Sequence, residues 1–311
     1  MDMGEHKLDA SVTTSRWDRD LEPRLTIESG DRVTVEMLDA SGGQVRPGMT
    51  GEAFAGIDKT RIHALSGPIR VAEAVPGDVL KVEILEVRHR GWAWTSIIPG
   101  LGLLDDRFDC HFLHHWELEG DKTRSLPGTE LDLAPFCGVM GVQRAEPGEF
   151  RTRPPGPYGG NMDVKHLVAG STLYLPVLVE GAGFCCGDSH GAQGDGEVCI
   201  NGMEAPMEAT FAFSVEKGRS LRGPQAVVPR IELSRRYASA PWTGFIESDE
   251  DPRRACRRVV ERAMEAIGER IPVSPEQAYV LCSVVLDLKV SQLVNVPMTT
   301  VTGYLPEAIF L

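Results

Sequence analysis

Short runs of alternating polarity, several of them preceded by a tight turn, fill the first two-thirds of this 311-residue chain. In KVEILEV, apolar side chains alternate with polar ones, as expected of a strand with one face in the core and one in water. Gly30-Asp31 and Gly77-Asp78 stand directly before two such runs, where both residue types favour turns. The predicted strands are residues 25–27, 32–38, 79–87, 172–179 and 208–215. We therefore predict a mainly β fold, a sandwich-like or barrel-like body with long loops.

The pattern changes near residue 250. Asp251-Pro252 is typical of a helix start, and Ser274-Pro275-Glu276-Gln277 has the form of a capping box. Apolar residues recur at helical spacing after both. We predict that residues 251–311 form a small helical α+β elaboration packed on a β-rich catalytic body of residues 1–250. That body is either one unit or two β subdomains, about 1–130 and 131–250.

Charge and composition restrict the partners. With 32 basic and 45 acidic residues interspersed, the formal net charge of −13 disfavours nucleic acid and anionic membranes. The opening residues MDMGEHKLDA lack the features of a secretory signal, and no run approaches the ~20 apolar residues that cross a bilayer. Seven cysteines without a CxxC pair are interpreted as reduced thiols. These features predict a cytoplasmic protein.

Two long segments rich in glycine and proline, residues 42–56 and 147–160, interrupt the strand pattern. Loops of this length inside a compact domain are more often functional than mere connections. We interpret both as binding elements, with a purely structural role as the alternative.

The densest group of chemically useful side chains is the segment GDSHGAQGDGE, residues 187–197. Its three carboxylates raise one another's pKa values when close together, and a bound cation relieves that repulsion. If a strand precedes the segment, Asp188 and His190 point to the same face and can converge on one ion. Histidine with carboxylates favours Zn²⁺, with Mn²⁺ or Fe²⁺ as alternatives. A Gly-rich turn with solvated acids and a structural Ca²⁺ loop remain open, although histidine counts against Ca²⁺.

Weaker candidates lie outside this segment. Asp163 ends a Gly-rich stretch and is a candidate metal ligand. His166 is either a residue that hydrogen-bonds to such a ligand or an ordinary core histidine. His63 precedes a Gly-Pro turn, and Asp39 follows a predicted strand. Each of these signals is weak when taken singly.

Cys185-Cys186 offers a different chemistry beside His190. A thiolate paired with an imidazole can cleave an amide, so a cysteine hydrolase using Cys186 is an alternative. Phe184-Cys185-Cys186 also fits a buried strand, in which cysteine behaves as a small hydrophobic residue. The sequence contains no G-x-S-x-G elbow, dinucleotide fingerprint or P-loop.

The signature region of the acetamidase/formamidase family closely resembles a long stretch of this chain, GGNMDVKHLVAGSTLYLPVLVEGAGFCCGDSHGAQGDGE. The resemblance continues at lower density through HALSGPI and AVPGDVLKVEILEV near the front, and through SPEQAYVLCSVVLDLKVSQLVN and LPEAIF at the end. It implies a β-rich amidohydrolase acting on short aliphatic amides, in a family that includes a zinc-containing lactam hydrolase.

The resemblance also implies roles for particular residues. The metal candidates that it implies are Asp188, His190, Asp39, His63 and Asp163. It implies catalytic roles for Glu197 and Gln193, and we expect Asn161 and Gly194, which lie in the same stretch, to contact the substrate.

The resulting hypothesis is hydrolysis of the C–N bond of small aliphatic amides by a metal-activated water. Zn²⁺ held by Asp188, His190 and a residue from the front half would lower the pKa of a bound water to about 7. Glu197 would carry the proton to the leaving nitrogen, and Gln193 or loop N–H groups would stabilise the oxyanion. The alternative from another class is a non-catalytic β-rich module that binds a small polar ligand at a structural metal. Exposed strand edges and the helical end predict a homo-oligomer, a dimer or higher.

Overall fold

The structure is a computed structural model that describes residues 4–229, 237 and 240–311. It is 38% strand and 14% helix, so the predicted mainly β class is confirmed. The largest sheet is six-stranded and antiparallel except for the first pair of strands at one edge, which is parallel. Its order is β1 (Glu5–Leu8), β4 (Arg32–Met37), β16 (Met207–Glu216), β6 (Val79–His89), β14 (Thr172–Pro176) and β17 (Gln225–Val227).

A second sheet carries the segment that the sequence singled out. It has five strands in the order β13 (Gly159–Asn161), β11 (Phe136–Gly141), β15 (Phe184–His190), β5 (Ser66–Val71) and β3 (Leu25–Ile27). β15 lies at the centre, and all seven of its residues are buried. Because a central strand is covered on both faces, its polar residues can remain only if other groups in the interior satisfy them.

Aromatic side chains join the two sheets. Phe211 and Phe213 are two apart on β16, so both point to the same face, and each packs on Phe184 of β15. The ring centroids of Phe184 and Phe213 are 5.2 Å apart in an edge-to-face arrangement. This contact anchors the start of β15 against the large sheet and thereby fixes where the strand ends.

Smaller elements complete the β body. They are three two-stranded pairs, one short helix and one 3₁₀ turn: β2 (Arg16–Trp17) with β12 (Phe150–Arg151), β7 (Trp92–Ile97) with β8 (Phe112–Glu117), β9 (Lys122–Thr123) with β10 (Leu131–Asp132), α1 (Gly51–Ala55) and the turn Lys59–Arg61. α1 and the 3₁₀ turn fall in or next to the Gly/Pro-rich segment 42–56, while β12 lies within the segment 147–160 and β13 overlaps its end.

The C-terminal region contains two helices and a three-stranded sheet. The elements are β18 (Trp242–Asp249), α2 (Pro252–Arg270), α3 (Pro275–Val285), β19 (Asp287–Gln292), β20 (Thr299–Pro306) and the 3₁₀ turn Glu307–Ile309, with sheet order β18-β20-β19. Asp251 caps α2 ahead of Pro252, and Ser274 with Gln277 forms the capping box predicted for α3. β18 precedes residue 250 yet pairs along its length with β20, and the predicted division into 1–250 and 251–311 stays a prediction.

Buried charges tie this C-terminal region to the loop after β15. Lys165 donates a hydrogen bond to the carboxylate of Asp287 at the start of β19, and its Nζ lies 3.6 Å from Asp195 Oδ2. Asp287 also accepts the backbone N–H of Asp195 at 3.0 Å, and Lys289 pairs with the Asp195 carboxylate. Because one partner left alone would be an uncompensated buried charge, this cluster fixes the position of the loop.

Candidate active site

His190, the last residue of β15, is fully buried and held in one orientation. The side-chain N–H of Gln193 donates to the carbonyl of Asp163 (2.9 Å), so the Gln193 oxygen faces His190 Nδ1 at 2.8 Å. That oxygen can only accept a hydrogen bond, so His190 carries a proton on Nδ1 and directs Nε2 at the surrounding acids. Gly138 of β11 leaves room for this arrangement, because a Cβ there would lie 2.6 Å from Asp163 Oδ1 and 3.2 Å from His190 Cε1.

Four carboxylates surround His190 Nε2. Glu204 Oε1 is 3.0 Å away, and Asp188 Oδ1 and Glu197 Oε1 are each 3.9 Å away. Asp163 completes the set, since one of its oxygens lies within 4.8 Å of the ligand atoms of His190 and Glu197. Asp188 and His190 therefore do converge, as their spacing in the sequence predicted.

The environment shifts the pKa values of these acids strongly. Burial raises the pKa of Asp163 to about 7 and that of Glu204 to about 8, with the nearby Asp188 charge adding to both shifts. Burial and the Asp163 charge raise the pKa of Glu197 well above its usual value. Burial also opposes ionisation of Asp188, but His63 and His190 outweigh it and hold its pKa below the usual range. The carboxyl groups of the site therefore disfavour one another's ionisation.

His190 is affected in the opposite direction. Burial disfavours its charged form, yet the carboxylates of Glu204 and Asp188 raise its pKa well above the usual value. The same carboxylates that favour a proton on Nε2 also favour a metal cation at that position.

Several buried polar atoms of the site lack a hydrogen-bond partner. Within the described part of the chain these include Asp163 Oδ1, Glu204 Oε2 and His63 Nδ1, while His190 Nε2 lies 3.0 Å from Glu204 Oε1 without a well-directed hydrogen bond. Two groups, Asp163–His190–Glu197 and Asp188–His190–Glu204, each place three ligand atoms within 4.8 Å of one another. One nitrogen with several carboxylate oxygens is a donor set that suits Zn²⁺, Mn²⁺ or Fe²⁺, so the residues fit a divalent cation.

The site opens into a cavity of about 520 Å³. Its lining includes the acids Asp163, Asp188, Glu197 and Glu204, and both Gly/Pro-rich segments of the sequence contribute residues to its walls. The interpretation of these segments as binding elements stays a prediction, and their place in the cavity wall supports it.

Backbone strain is concentrated at this cavity. Six described residues other than glycine have a positive φ, and five of them line it. The five are His63 (57°), Asp163 (50°), Asp188 (51°), Glu197 (45°) and Ile200 (96°). Such conformations cost on the order of 1–3 kcal/mol each and persist where the surrounding structure enforces them, typically at functional sites.

Two predicted metal candidates lie further out. His63 lines the cavity with its Nε2 3.8 Å from Asp188 Oδ2. The carboxylate of Asp39 accepts the backbone N–H groups of Ser41 (2.9 Å) and Gly43 (3.1 Å) and the indole N–H of Trp94 (3.0 Å). Asp39 is in neither group of ligand atoms, and its contacts fit a residue that organises the loop. Direct ligation by either residue stays a prediction.

The two predicted substrate contacts differ in position. Asn161 lines the cavity, and its buried Oδ1 has no partner among the described residues. Gly194 is buried instead against α3, where its N–H donates to the carbonyl of Ser283 at 2.9 Å. A Cβ at Gly194 would lie 2.2 Å from the carbonyl oxygen of Leu286. Close packing against the end of α3 therefore explains why residue 194 is a glycine.

Sequence reasoning missed Glu204. This residue lies opposite His190 through an isolated β-bridge and is 1% exposed, and Gly202 N–H donates to its Oε1 at 3.0 Å. The available signal was an acid flanked by apolar residues in GMEAPM, which is unusual unless the acid has a partner.

The cysteines beside the site have inert surroundings. Cys185 and Cys186 are 0% exposed, and neither lines the cavity. Burial raises the pKa of Cys185 to about 12 and that of Cys186 well above its usual value. Because the thiolate is the nucleophile, this environment disfavours the cysteine alternative.

Comparisons with known proteins agree with this arrangement. The family model described as "Acetamidase/Formamidase family" matches residues 2–148 and 142–311. A formamidase from Methylophilus methylotrophus is 27% identical, with 95% of this chain and 89% of the relative covered. A gamma lactamase from Delftia acidovorans has a TM-score of 0.89 at 26% identity, covering 99% of this chain and 93% of that one. An acetamidase from Bacillus halodurans has a TM-score of 0.69 at 31% identity, covering 96% of both.

The fold, the site and the similarity to known amidases and a lactamase together define a β-rich amidohydrolase. The chain belongs to the acetamidase/formamidase family, as its signature stretch predicted. Among the described residues, no helix combines the length and the apolar character needed to span a membrane.

Proposed function

We propose that this protein hydrolyses the C–N bond of carboxamides to a carboxylate and ammonia with the help of a bound divalent cation. Zn²⁺ is the first cation to test. The observation that carries the proposal is the convergence of carboxylates on His190 Nε2 beside a substrate-sized cavity, with Asp163 Oδ1 and Glu204 Oε2 lacking a hydrogen-bond partner among the described residues. The named activities of the relatives make formamide, acetamide and lactams the first compounds to test. The two linear amides would release ammonia, whereas a lactam would open to an amino acid, which is detected directly.

His190, Asp188 and Glu204 would hold the cation, with Asp163 next to them. Burial supports this choice, since each of the first three is at most 4% exposed and a cation would offset their mutual repulsion. When bound, the cation would polarise a carbonyl and make a water molecule more acidic. A structural Ca²⁺ fits less well, because Ca²⁺ takes oxygen ligands and His190 offers nitrogen.

Glu197 is the proposed proton carrier. It lines the cavity, and its Oε1 lies 3.9 Å from His190 Nε2. The charge of a cation bound nearby would favour the ionised form of Glu197. Glu197 would then take a proton from water as the water adds to the carbonyl carbon, and would pass it to nitrogen as the C–N bond breaks and ammonia leaves. Amide nitrogen is a poor leaving group unless protonated, so a carboxyl able to hold a proton is what the reaction needs.

Metal removal tests the proposal directly. Purified protein should release ammonia from formamide or acetamide, lose that activity on dialysis against a chelator and regain it with Zn²⁺ or Mn²⁺. Elemental analysis of the same samples reports metal content. Full turnover by metal-free protein would refute the role of the cation, and failure of the metal-loaded protein on all small amides and lactams would refute the hydrolase.

Gln193 offers a finer test of how His190 is held. Gln193→Leu removes both side-chain hydrogen bonds, so metal affinity should fall by about 10- to 100-fold, as for other partners that orient a ligating histidine. Gln193→Glu keeps an acceptor for His190 Nδ1 and should retain more affinity. Competition with a chromophoric chelator measures both variants. Equal affinity in wild type and Gln193→Leu would argue for the oxyanion role expected from sequence instead.

The cytoplasmic location and the homo-oligomeric state expected from the sequence stay predictions.

A further inference from the structure

The cavity is far larger than the smallest amides require. If each heavy atom is given the ~30 Å³ that one water molecule occupies in the liquid, the four heavy atoms of acetamide fill roughly 120 Å³. The cavity has a volume of about 520 Å³. Pockets of ~300–1,000 Å³ generally hold much larger ligands. Apolar side chains form much of its wall: Phe54, Ile57, Trp94, Ile98 and Leu101. These walls fit a hydrocarbon portion several carbons long.

The exposed part of the lining is basic. Arg16, Lys59, Arg151 and Arg153 line the same cavity as the buried acids. Lys59, Arg151 and Arg153 are exposed, and across the ranges 4–229 and 240–311 none of the three forms an ion pair. Four cations around one opening stand out in a chain whose net charge is −13.

Two of these cations face each other across a strand pair. Arg16 of β2 and Arg151 of β12 are direct partners in the antiparallel register. Like charges in that position destabilise a sheet unless something offsets them. Glu149 pairs with Arg16 at 3.0 Å, but among the described residues no acid pairs with Arg151 in this way. An anion bound beside Arg151 would offset this repulsion.

We propose, resting on the proposed function, that the preferred substrates are carboxamides whose hydrocarbon chain ends in a carboxylate. The amide group lies at Glu197 and the buried acids, the hydrocarbon lies along the apolar wall of Trp94, and the carboxylate meets Arg151, Arg153 and Lys59. The same basic opening attracts anions from solution, and the apolar walls strengthen that field.

A matched series of amides tests the preference. Adipamate (the monoamide of adipic acid), hexanamide and acetamide share the reacting group and differ in length and terminal charge. Wild type should show kcat/KM for adipamate at least about tenfold above that for hexanamide, the scale of one charge-assisted hydrogen bond. Equal values for the two six-carbon amides would overturn the inference.

Charge-removing variants locate the effect. Lys59→Met, Arg151→Met and Arg153→Met combined keep the hydrocarbon stems and should abolish the preference for adipamate, while acetamide turnover stays unchanged. Lys7→Met, an exposed cation on β1 that does not line the cavity, is the matched control and should retain the preference. A preference that survives the triple variant would also overturn the proposal.

A binding measurement separates this inference from the proposed function. Calorimetric titration of adipate into wild type and the triple variant needs no turnover. If no amide is hydrolysed but adipate binds at least about tenfold more weakly to the variant, the anion site stands and the hydrolase fails. If acetamide is hydrolysed but adipate binds both proteins equally, the hydrolase stands and the anion site fails.

Discussion

His190→Ala is expected to abolish binding of the proposed divalent cation and to lower kcat/KM for amides by at least about a thousandfold. The imidazole supplies the nitrogen shared by both groups of ligand atoms, so its removal takes the nitrogen ligand from both. A cation of this kind contributes several kcal/mol to stabilising developing charge, and about 1.4 kcal/mol corresponds to tenfold in rate. Elemental analysis and ammonia release on the same preparation measure the two losses.

Folding has to be separated from chemistry, because His190 is fully buried and packs against the ring of Phe136 at 5.1 Å. Thermal unfolding should show that the variant still folds cooperatively. His190→Gln, which keeps a polar side chain in the same space, serves as a second variant. His89→Ala changes a histidine on the surface of β6 and should retain metal and activity. Wild-type metal content in folded His190→Ala would exclude His190 as a ligand.

Glu197→Gln should have a different signature: normal metal content with kcat lowered by at least about a hundredfold, the low end for general acid–base catalysis. The amide keeps the size and the backbone conformation of Glu197 but cannot take a proton from water. KM should change little, because the proton transfer belongs to the transition state. Steady-state kinetics on acetamide, with elemental analysis, test this expectation.

The matched control is Glu83→Gln, which neutralises a half-buried acid on β6 far along the chain from the site. Turnover near the wild-type level in Glu197→Gln would remove Glu197 from the mechanism. Loss of metal in the same variant would instead assign Glu197 to the ligands, together with Asp163 and His190.

Much of the fold was predictable because its signals are local. The predicted strand at residues 25–27 matches β3, and the other four predicted strands overlap β4, β6, β14 and β16 with shifts at their ends. Both helix starts were correct because capping uses residues that are adjacent in the sequence. The order of strands in the sheets was not predictable, since it depends on pairing between distant segments.

The site divides in the same way. Asp188 and His190 are two residues apart on one strand, so their convergence followed from spacing, although Asp188 adopts a positive φ that no alternation pattern predicts. Asp195 and Glu197 are also two apart, yet Asp195 pairs with Lys289 while Glu197 lines the cavity. Gln193 matches the family motif, but its contacts orient His190.

The sequence by itself determined the fold class, the helix starts and the family, and it singled out Asp163, Asp188, His190 and Glu197 as candidates, because each depends on local pattern or on a long contiguous resemblance. Only the tertiary structure decided which acids meet His190, and it added Glu204 and placed Asp39 outside the groups of ligand atoms. It also set the basic opening of the cavity, where Arg16 and Arg151 are brought together by strand pairing. The physical reason is that burial and proximity to other charges change what a carboxylate or an arginine can do, and both arise only when distant segments pack together.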